Sequence, residues 1–118
     1  MTNDKVVPRF FELVNDRDLS KLEALLMEES EFYFPKTKPL LGKNQITRFF
    51  KILFHRFPKL EFKIERTIIQ ETKAAVHWSN RGMNRRKESY ENEGVTILEM
   101  EEGRIKFISD FFKDTGKF

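Results

Sequence analysis

The sequence predicts one α+β domain in which a strongly bent β-sheet wraps around N-terminal helices. Two patterns predict this architecture. Apolar residues recur with a helical period as far as Pro58, and beyond it they alternate with polar residues as in strands. A chain of 118 residues is close to the common size of a single domain and can bury one sizeable core. We therefore expect residues 1–118 to form one domain.

The first half of the chain is predicted to contain three helices and one short strand. Residues 4–14 carry a single apolar stripe, and Asp18 is placed to cap a second helix whose stripe ends at Leu26. Residues 32–34 are predicted to form a short strand that Pro35 stops. The third helix, residues 46–57, has apolar residues at i, i+3, i+4, i+7, i+8 and i+11 and ends before Pro58.

Four strands are predicted after Pro58, at residues 60–65, 74–79, 95–100 and 105–112. The polar stretch 82–92 is expected to include an irregular hairpin connection. Helices followed by a long meander of strands are typical of an α+β fold. A strongly bent mixed or antiparallel sheet around an amphipathic helix forms a cone-shaped barrel whose open mouth can hold a small molecule.

Composition excludes several classes of function. Cysteine is absent, so disulfides, thiolate zinc sites and cysteine nucleophiles are excluded. The two histidines lack metal-ligand spacing, so no metal is expected. No P-loop or dinucleotide-binding fingerprint is present, so no cofactor is expected. The 22 basic and 19 acidic residues are interspersed and give a net charge of +3, so a nucleic-acid partner is not expected. No apolar run is long enough for a membrane span and the first residues lack a signal pattern, so a soluble cytoplasmic protein is expected.

The apolar residues of the last two strands suggest a partner. The 13 phenylalanines must be buried in a core, an interface or an apolar pocket. Both faces of these strands are apolar, because alternation sets Val95 and Ile97 opposite Leu98 and Met100, and Ile105, Phe107 and Phe111 opposite Ile108 and Phe112. Helices on only one face would leave the other exposed, so we expect a homodimer packed through the sheet. The alternative is a curled sheet covered on both sides by helical or C-terminal residues.

Four segments share their order and spacing with one known family. They are FFELVNDRDL at residues 10–19, FYFP followed by LGKNQI and FF at residues 32–50, VHW with RG at residues 76–82, and EGV leading through EGRI to Asp110 at residues 93–110. Together they resemble the SnoaL-like proteins of the nuclear-transport-factor-2-like superfamily, which includes ketosteroid isomerase, scytalone dehydratase and limonene epoxide hydrolase. The resemblance covers nearly the whole chain and implies a cystatin-like α+β roll.

The resemblance also implies an acid–base residue. SnoaL-like cyclases commonly end in Gly, a basic residue and Ile, followed after three further residues by Trp-Asp, where the Asp is the acid/base. Here Gly-Arg-Ile at residues 103–105 leads by the same count to Asp110, while Ser109 replaces the tryptophan. The family's Gly-Thr-His corresponds to residues 82–84, which lack the histidine, and the oxyanion acid of ketosteroid isomerase corresponds to Thr96. Neither enzyme's set of residues is complete.

Asp110 is the first candidate for a functional residue. It lies between apolar residues on a predicted core strand, where burial raises a carboxyl pKa toward the neutral range that suits a general base. The alternative is a carboxylate paired with an arginine or bonded to a backbone N–H near the sheet end. His77 could hydrogen-bond Asp110 across the sheet and complete an acid–base pair. Its alternative is an ordinary, half-exposed strand histidine.

Tyr33 is the candidate hydroxyl donor for the cone, because its neighbours Phe32 and Phe34 are expected to point the other way. Its alternative is an ordinary strand tyrosine with its hydroxyl in water. We assign the ligand-binding wall of the cone to six further residues, which are Trp78, Phe50, Phe54, Thr96, Leu98 and Phe112.

Three functions remain open from the sequence. The first is binding of a small, largely apolar molecule in the cone. The second is a cofactor-free isomerase, cyclase or dehydratase that uses Asp110 as its base, with Tyr33 or His77 as donor. The third is a protein-interaction module that uses the sheet or the basic hairpin at residues 81–87. The alternative for this segment is a solvated loop neutralised by Glu88, Glu91 and Glu93.

Overall fold

Helices lie against one face of a bent sheet. The computed structural model describes residues 2–117. Its helices are α1 (Asn3–Asp16), α2 (Leu19–Ala24) and α3 (Lys43–Arg56). Its strands are β1 (Leu26–Tyr33), β2 (Leu40–Leu41), β3 (Lys59–Gln70), β4 (Lys73–Met83), β5 (Ser89–Glu101) and β6 (Arg104–Phe112), followed by a short 3₁₀ turn at Thr115–Lys117. None of the helices within residues 2–117 is long and apolar enough to cross a membrane.

The sheet is mixed and does not close into a full barrel. Its strand order is β2-β1-β6-β5-β4-β3. The long strands β3 to β6 form an antiparallel meander, and β6 then pairs with β1 in parallel. The helices pack against one side of this sheet, so the predicted α+β cone is confirmed.

The second helix is shorter than predicted. Asp18 accepts a hydrogen bond from the backbone N–H of Lys21 at 3.0 Å, so the predicted cap is confirmed. The helix nevertheless ends at Ala24, and Leu26 begins β1. Leu26 lies opposite Ile105 in the parallel pair of β1 with β6. Backbone pairing with a distant strand therefore overrides the helical spacing of the leucines.

The predicted hairpin connection is confirmed, and it is shorter than the polar stretch that contains it. β4 continues to Met83 and β5 begins at Ser89, so only residues 84–88 form the connection. Within it, Asn84 Oδ1 accepts hydrogen bonds from the backbone N–H groups of Arg86 and Glu88. The stretch looks irregular in sequence because a polar residue also occupies a buried position, as Asn92 does.

The two faces of the sheet have different surroundings. On the inner face, toward the helices, β5 places Thr96, Leu98 and Met100, all nearly fully buried. On the outer face, Phe111 of β6 is 60% exposed. The expectation that Ile105 shares a face with Phe111 is wrong. A bulge between the pairs at β5 residues 99 and 100 shifts the register, so Ile105 turns inward and is fully buried.

Gly94 fixes the position of the one tryptophan, Trp78. These two residues lie opposite each other in β4 and β5. A Cβ atom on Gly94 would lie 2.7 Å from Cζ2 of the Trp78 ring and would clash with the backbone oxygen of Phe111. Glycine at this position therefore allows the indole to lie flat on the strand, with Phe62 and Phe112 in edge contact at 5.0 and 5.4 Å between ring centroids.

Candidate functional site

A chain of two hydrogen bonds ends at Asp110 on the inner face of the sheet. Thr96 lies opposite Asp110 in the pair of β5 with β6, and its hydroxyl donates to Asp110 Oδ1 at 2.6 Å. The indole Nε1 of Trp78 donates to Thr96 Oγ1 at 2.8 Å. Trp78 and Thr96 are 1% and 2% exposed, so both hydrogen bonds lie inside the protein. The antiparallel register of β4, β5 and β6 brings the three side chains together.

Burial raises the pKa of Asp110 from 3.8 to about 7. The dominant cause is the loss of water around the carboxylate, and the hydrogen bond from Thr96 opposes it by stabilising the charged form. The residue as a whole keeps some exposure, while the carboxyl group is enclosed by protein atoms. Asp110 therefore exchanges its proton near neutral pH, as the sequence predicted for a carboxyl on a core strand.

A small cavity adjoins this carboxyl group. Its volume is about 20 Å³, which is room for one water-sized molecule. Thr96 and Asp110 are the only polar residues among those that line it in the described chain. The rest of its lining comes from α1, α3, β1, β3 and the residue after β1, and consists of Phe10, Phe11, Val14, Phe32, Phe34, Phe49, Phe50, Leu53, Leu60 and Phe62.

The residues assigned to the pocket wall take different positions. Phe50 and Thr96 line the cavity. Trp78 lies behind Thr96, as its hydrogen bond partner. The remaining three do not line the cavity. Leu98 is fully buried farther along β5, Phe112 contacts the rings of Phe34 and Trp78, and Phe54 lies beneath the guanidinium of Arg17 at 5.7 Å.

The expectation that Tyr33 points into the cone is wrong. Phe32 is 1% exposed and lines the cavity, so the alternation of β1 turns Tyr33 to the outer face. There the tyrosine ring packs on Phe107 with 5.4 Å between centroids, and its hydroxyl donates to Glu31 Oε1 at 2.5 Å. The two faces of β1 are therefore the reverse of those expected, and Tyr33 lies out of reach of Asp110.

His77 also lies on the outer face and does not pair with Asp110. It alternates with the inward-facing Trp78, and its Nε2 lies 2.5 Å from Glu93 Oε2. Hydrogen bonds from His77 and then from Lys113 lower the pKa of Glu93. The sheet itself separates this polar cluster from the cavity, so an acid–base pair of His77 with Asp110 is excluded.

Most residues that line the cavity were not predicted as site residues. The helical stripes of α1 and α3 marked Phe10, Phe49 and Leu53 as buried, and strand alternation marked Leu60 and Phe62. These patterns show which side chains face the core. They carry no information about which part of the core adjoins Asp110, because that depends on how helices and sheet pack.

A larger, open groove of about 1120 Å³ lies elsewhere, along the starting half of β3, the facing parts of β4 and β5, and the residues after β6. Its lining includes cations such as Arg17 and Arg81 and anions such as Glu61 and Asp114. An apolar molecule gains little in such surroundings, so size alone does not make this groove the site. Within residues 2–117, no group of three or more His, Asp and Glu side chains is close enough to hold a metal ion.

Comparisons with solved structures show the same fold in other proteins. An NTF2-like protein from Anabaena variabilis superposes with a TM-score of 0.86 at 21% identity, over 99% of this chain and 97% of that one. An NTF2-like protein of unknown function from Burkholderia pseudomallei superposes with a TM-score of 0.86 at 18% identity, over 96% of this chain and 92% of that one. An LEH-like epoxide hydrolase from M. tuberculosis superposes with a TM-score of 0.83 at 16% identity, over 96% of this chain and 83% of that one.

Sequence comparison identifies the family. A comparison with curated proteins gives no significant match. The family model of the SnoaL-like domain, by contrast, matches residues 7–108, which is most of the chain and includes α3, β4 and β5 in full. The fold, the order of its elements and this match agree, and the chain belongs to the SnoaL-like family.

Proposed function

We propose that this protein binds a small, largely apolar molecule in the phenylalanine-lined cavity, with one polar group of that molecule directed at Asp110. The observation that carries the proposal is the single carboxyl group of Asp110, next to the Thr96 hydroxyl, in a lining that is otherwise apolar. A hydroxyl or carbonyl group near Asp110 would recover the hydrogen bonding that the carboxyl group loses on burial. The apolar remainder of the ligand would gain from contact with the rings.

The cavity must widen to hold such a ligand. Pockets for drug-sized molecules enclose roughly 300–1,000 Å³, and the space beside Asp110 is about 20 Å³. Phe34, Phe49 and Phe62 line the cavity and are only partly buried, so their rings can turn outward at lower cost than those of the fully buried Phe32. The ligand therefore enters by displacing these rings.

A ligand screen tests the proposal. The panel contains small cyclic hydrocarbons and matched molecules of the same shape that carry one hydroxyl or carbonyl group. We expect the matched polar molecules to raise the melting temperature of the wild-type protein by mass action. In Asp110→Asn the preference for the polar member of each pair should weaken, because the amide offers different hydrogen bonds from the carboxyl group.

The control is His77→Gln, which changes a side chain on the outer face and should bind the same molecules as the wild type. Binding sites are mapped by NMR shifts of Thr96 and Phe50. A panel with no binder, or shifts confined to the outer face, would contradict the proposal.

A second candidate is acid–base catalysis at the same site, and the pKa of Asp110 near 7 favours it. In such a reaction a C–H bond next to a substrate carbonyl breaks, the proton moves to the Asp110 carboxylate, and the electron pair moves toward the carbonyl oxygen. The proton then returns to a different atom of the substrate. The similarity in fold to an LEH-like epoxide hydrolase is consistent with chemistry inside the cone. Asp110→Ala should abolish any turnover, and retained turnover would reject this role.

We also propose that the outer face pairs with a second copy of this chain. Phe111 is 60% exposed there, and Val95, Ile97 and Phe107 are partly exposed beside it. A patch of this kind is typical of a protein interface. Ion pairs such as Lys113–Glu93 place both signs of charge on the same face, which suits a contact of the face with itself.

Phe111→Glu should therefore convert a dimer to a monomer, because two buried carboxylates would lose their water at the two-fold contact. Sedimentation at micromolar concentration measures the change. Ile52→Glu is the control, since Ile52 is 50% exposed on α3, away from the outer face, and this variant should remain dimeric. A wild-type protein that sediments only as a monomer would refute the pairing.

A further inference from the structure

The hydroxyl group of Thr96 has a fixed role because it stands between two partners. A threonine hydroxyl carries one proton and can accept as well as donate. The indole N–H of Trp78 can only donate, and it points at Thr96 Oγ1 at 2.8 Å. Thr96 therefore accepts from Trp78, and its one proton goes to Asp110 Oδ1, 2.6 Å away. The direction of both hydrogen bonds follows from the chemistry of the indole.

We propose that Trp78 and Thr96 are positioning residues for Asp110, and that they hold its Oδ1 as an acceptor so that Oδ2 is the oxygen that carries the proton and meets the ligand. Oδ2 has no hydrogen-bond partner among residues 2–117. When the carboxyl group is neutral, its proton resides on Oδ2, because the proton of Thr96 occupies the side of Oδ1. The pair thus decides which carboxyl oxygen faces the cavity.

No other charged group is among the causes of the raised pKa of Asp110. The lining residues from α1, α3, β1 and β3 are all apolar and cannot titrate, and Phe34 after β1 is likewise apolar. On β5 the facing residue is Thr96 itself. The titratable side chains of His77 on β4 and Glu93 on β5 contact each other on the opposite face of the sheet. Thr96 is therefore the polar side chain through which the protein acts on Asp110.

Because the protein has one tryptophan, the relay of two hydrogen bonds from Trp78 through Thr96 to Asp110 can be measured without any ligand. Trp78 gives the single indole N–H signal of the protein in ¹⁵N NMR. We expect this signal to shift between pH 5 and pH 9 with the midpoint of Asp110, because the Thr96 hydroxyl transmits the change of charge. In Thr96→Val, which has the same shape without the hydroxyl, the shift should be lost, while Thr96→Ser should restore it. His77→Gln should leave it unchanged.

The pKa of Asp110, measured by ¹³C NMR of its carboxyl carbon, provides an independent readout. Thr96→Val should raise it by about one unit or more, because the charged form loses a donor. Thr96→Ser should restore the wild-type value, and Trp78→Phe should raise it by a smaller amount. Equal values in Thr96→Val and Thr96→Ser would overturn the proposal. So would an indole shift that is present in the wild type and lost in His77→Gln.

The inference concerns the site of the proposed function, and it rests on that function only for the statement that Oδ2 meets a ligand. The NMR measurements use the free protein. If the ligand screen finds no binder but the NMR results are as expected, the proposed function is rejected and the positioning role stands. If ligands bind but the NMR results are not as expected, the positioning role is rejected. Backbone amide spectra of each variant confirm that the fold is retained.

Discussion

Asp110→Asn should make the protein more stable at pH 8, by on the order of 2–4 kcal/mol. The carboxyl group has a pKa of about 7 when folded and 3.8 as the ordinary value. Each unit of difference corresponds to ~1.4 kcal/mol, and the partial exposure of the residue reduces the total. The neutral amide has nearly the same shape, still accepts from Thr96 and requires no burial of a charge. The Asp110 carboxyl group therefore lowers the stability of the fold at neutral pH.

The pH dependence of this effect has a definite sign. The folded protein holds the Asp110 proton up to about pH 7, whereas the unfolded chain releases it near pH 3.8. Between these values the folded state binds more protons, so this group's contribution to stability falls as the pH rises. The difference between Asp110→Asn and wild type should be small at pH 4, grow up to about pH 7 and then level off.

Urea unfolding at several pH values measures both curves. Glu29→Gln is the matched control, because it also removes one negative charge, from an exposed position on β1. Its stability difference from the wild type should vary little over the same range. A variant Asp110→Asn that is equally stable, or less stable, at pH 8 would show that the folded carboxyl group is well solvated.

Phe50→Ala should destabilise the protein by about 3–5 kcal/mol and open the cavity beside Asp110. Phe50 is 3% exposed and contacts the rings of Phe10, Phe32 and Phe49 at 5.5–6.0 Å between centroids. Its removal leaves an apolar void that neighbouring rings fill only in part. Benzene-sized hydrocarbons should then raise the melting temperature of the variant, as they do for engineered apolar cavities.

Phe54→Ala is the control for this variant. Phe54 lies on the same helix, is only partly buried and faces Arg17, outside the cavity. Its removal should cost less stability and should not create binding of hydrocarbons. If both variants bind benzene alike, the cavity is not where the structure places it. If Phe50→Ala lowers the free energy of unfolding by less than about 1 kcal/mol, the rings around Phe50 are loosely packed.

The sequence predicted the buried acid of the site but not which side chains lie around it. Asp110 follows from its apolar neighbours on a strand and from the resemblance of residues 103–110 to the end of SnoaL-like cyclases. Tyr33 and His77 were placed wrongly with it, because alternation separates the two faces of a strand without saying which face the helices cover. Only the packing of α1 and α3 on the sheet decides that Phe32 and Trp78 point inward.

Predictions from local sequence pattern were also wrong where the pairing of strands distant in sequence decides the structure. Leu26 has helical spacing but begins a strand, because β6 pairs with it across more than 70 residues of chain. Ile105 has the spacing of the outer face but turns inward at a bulge. Neither the parallel pairing nor the bulge leaves a mark in the sequence near the residue concerned.

The sequence by itself determined the family, the order of the three helices and the five longer strands, the amphipathic third helix and the acid at position 110. These depend on local spacing and on residue types, which a linear chain displays directly. Tertiary structure alone decided that Trp78, Thr96 and Asp110 form one hydrogen-bonded chain, since strand register brings together residues 14 and 18 positions apart. It also decided that the cavity is small and that its widening depends on phenylalanine rings, because free volume arises only when separate elements pack.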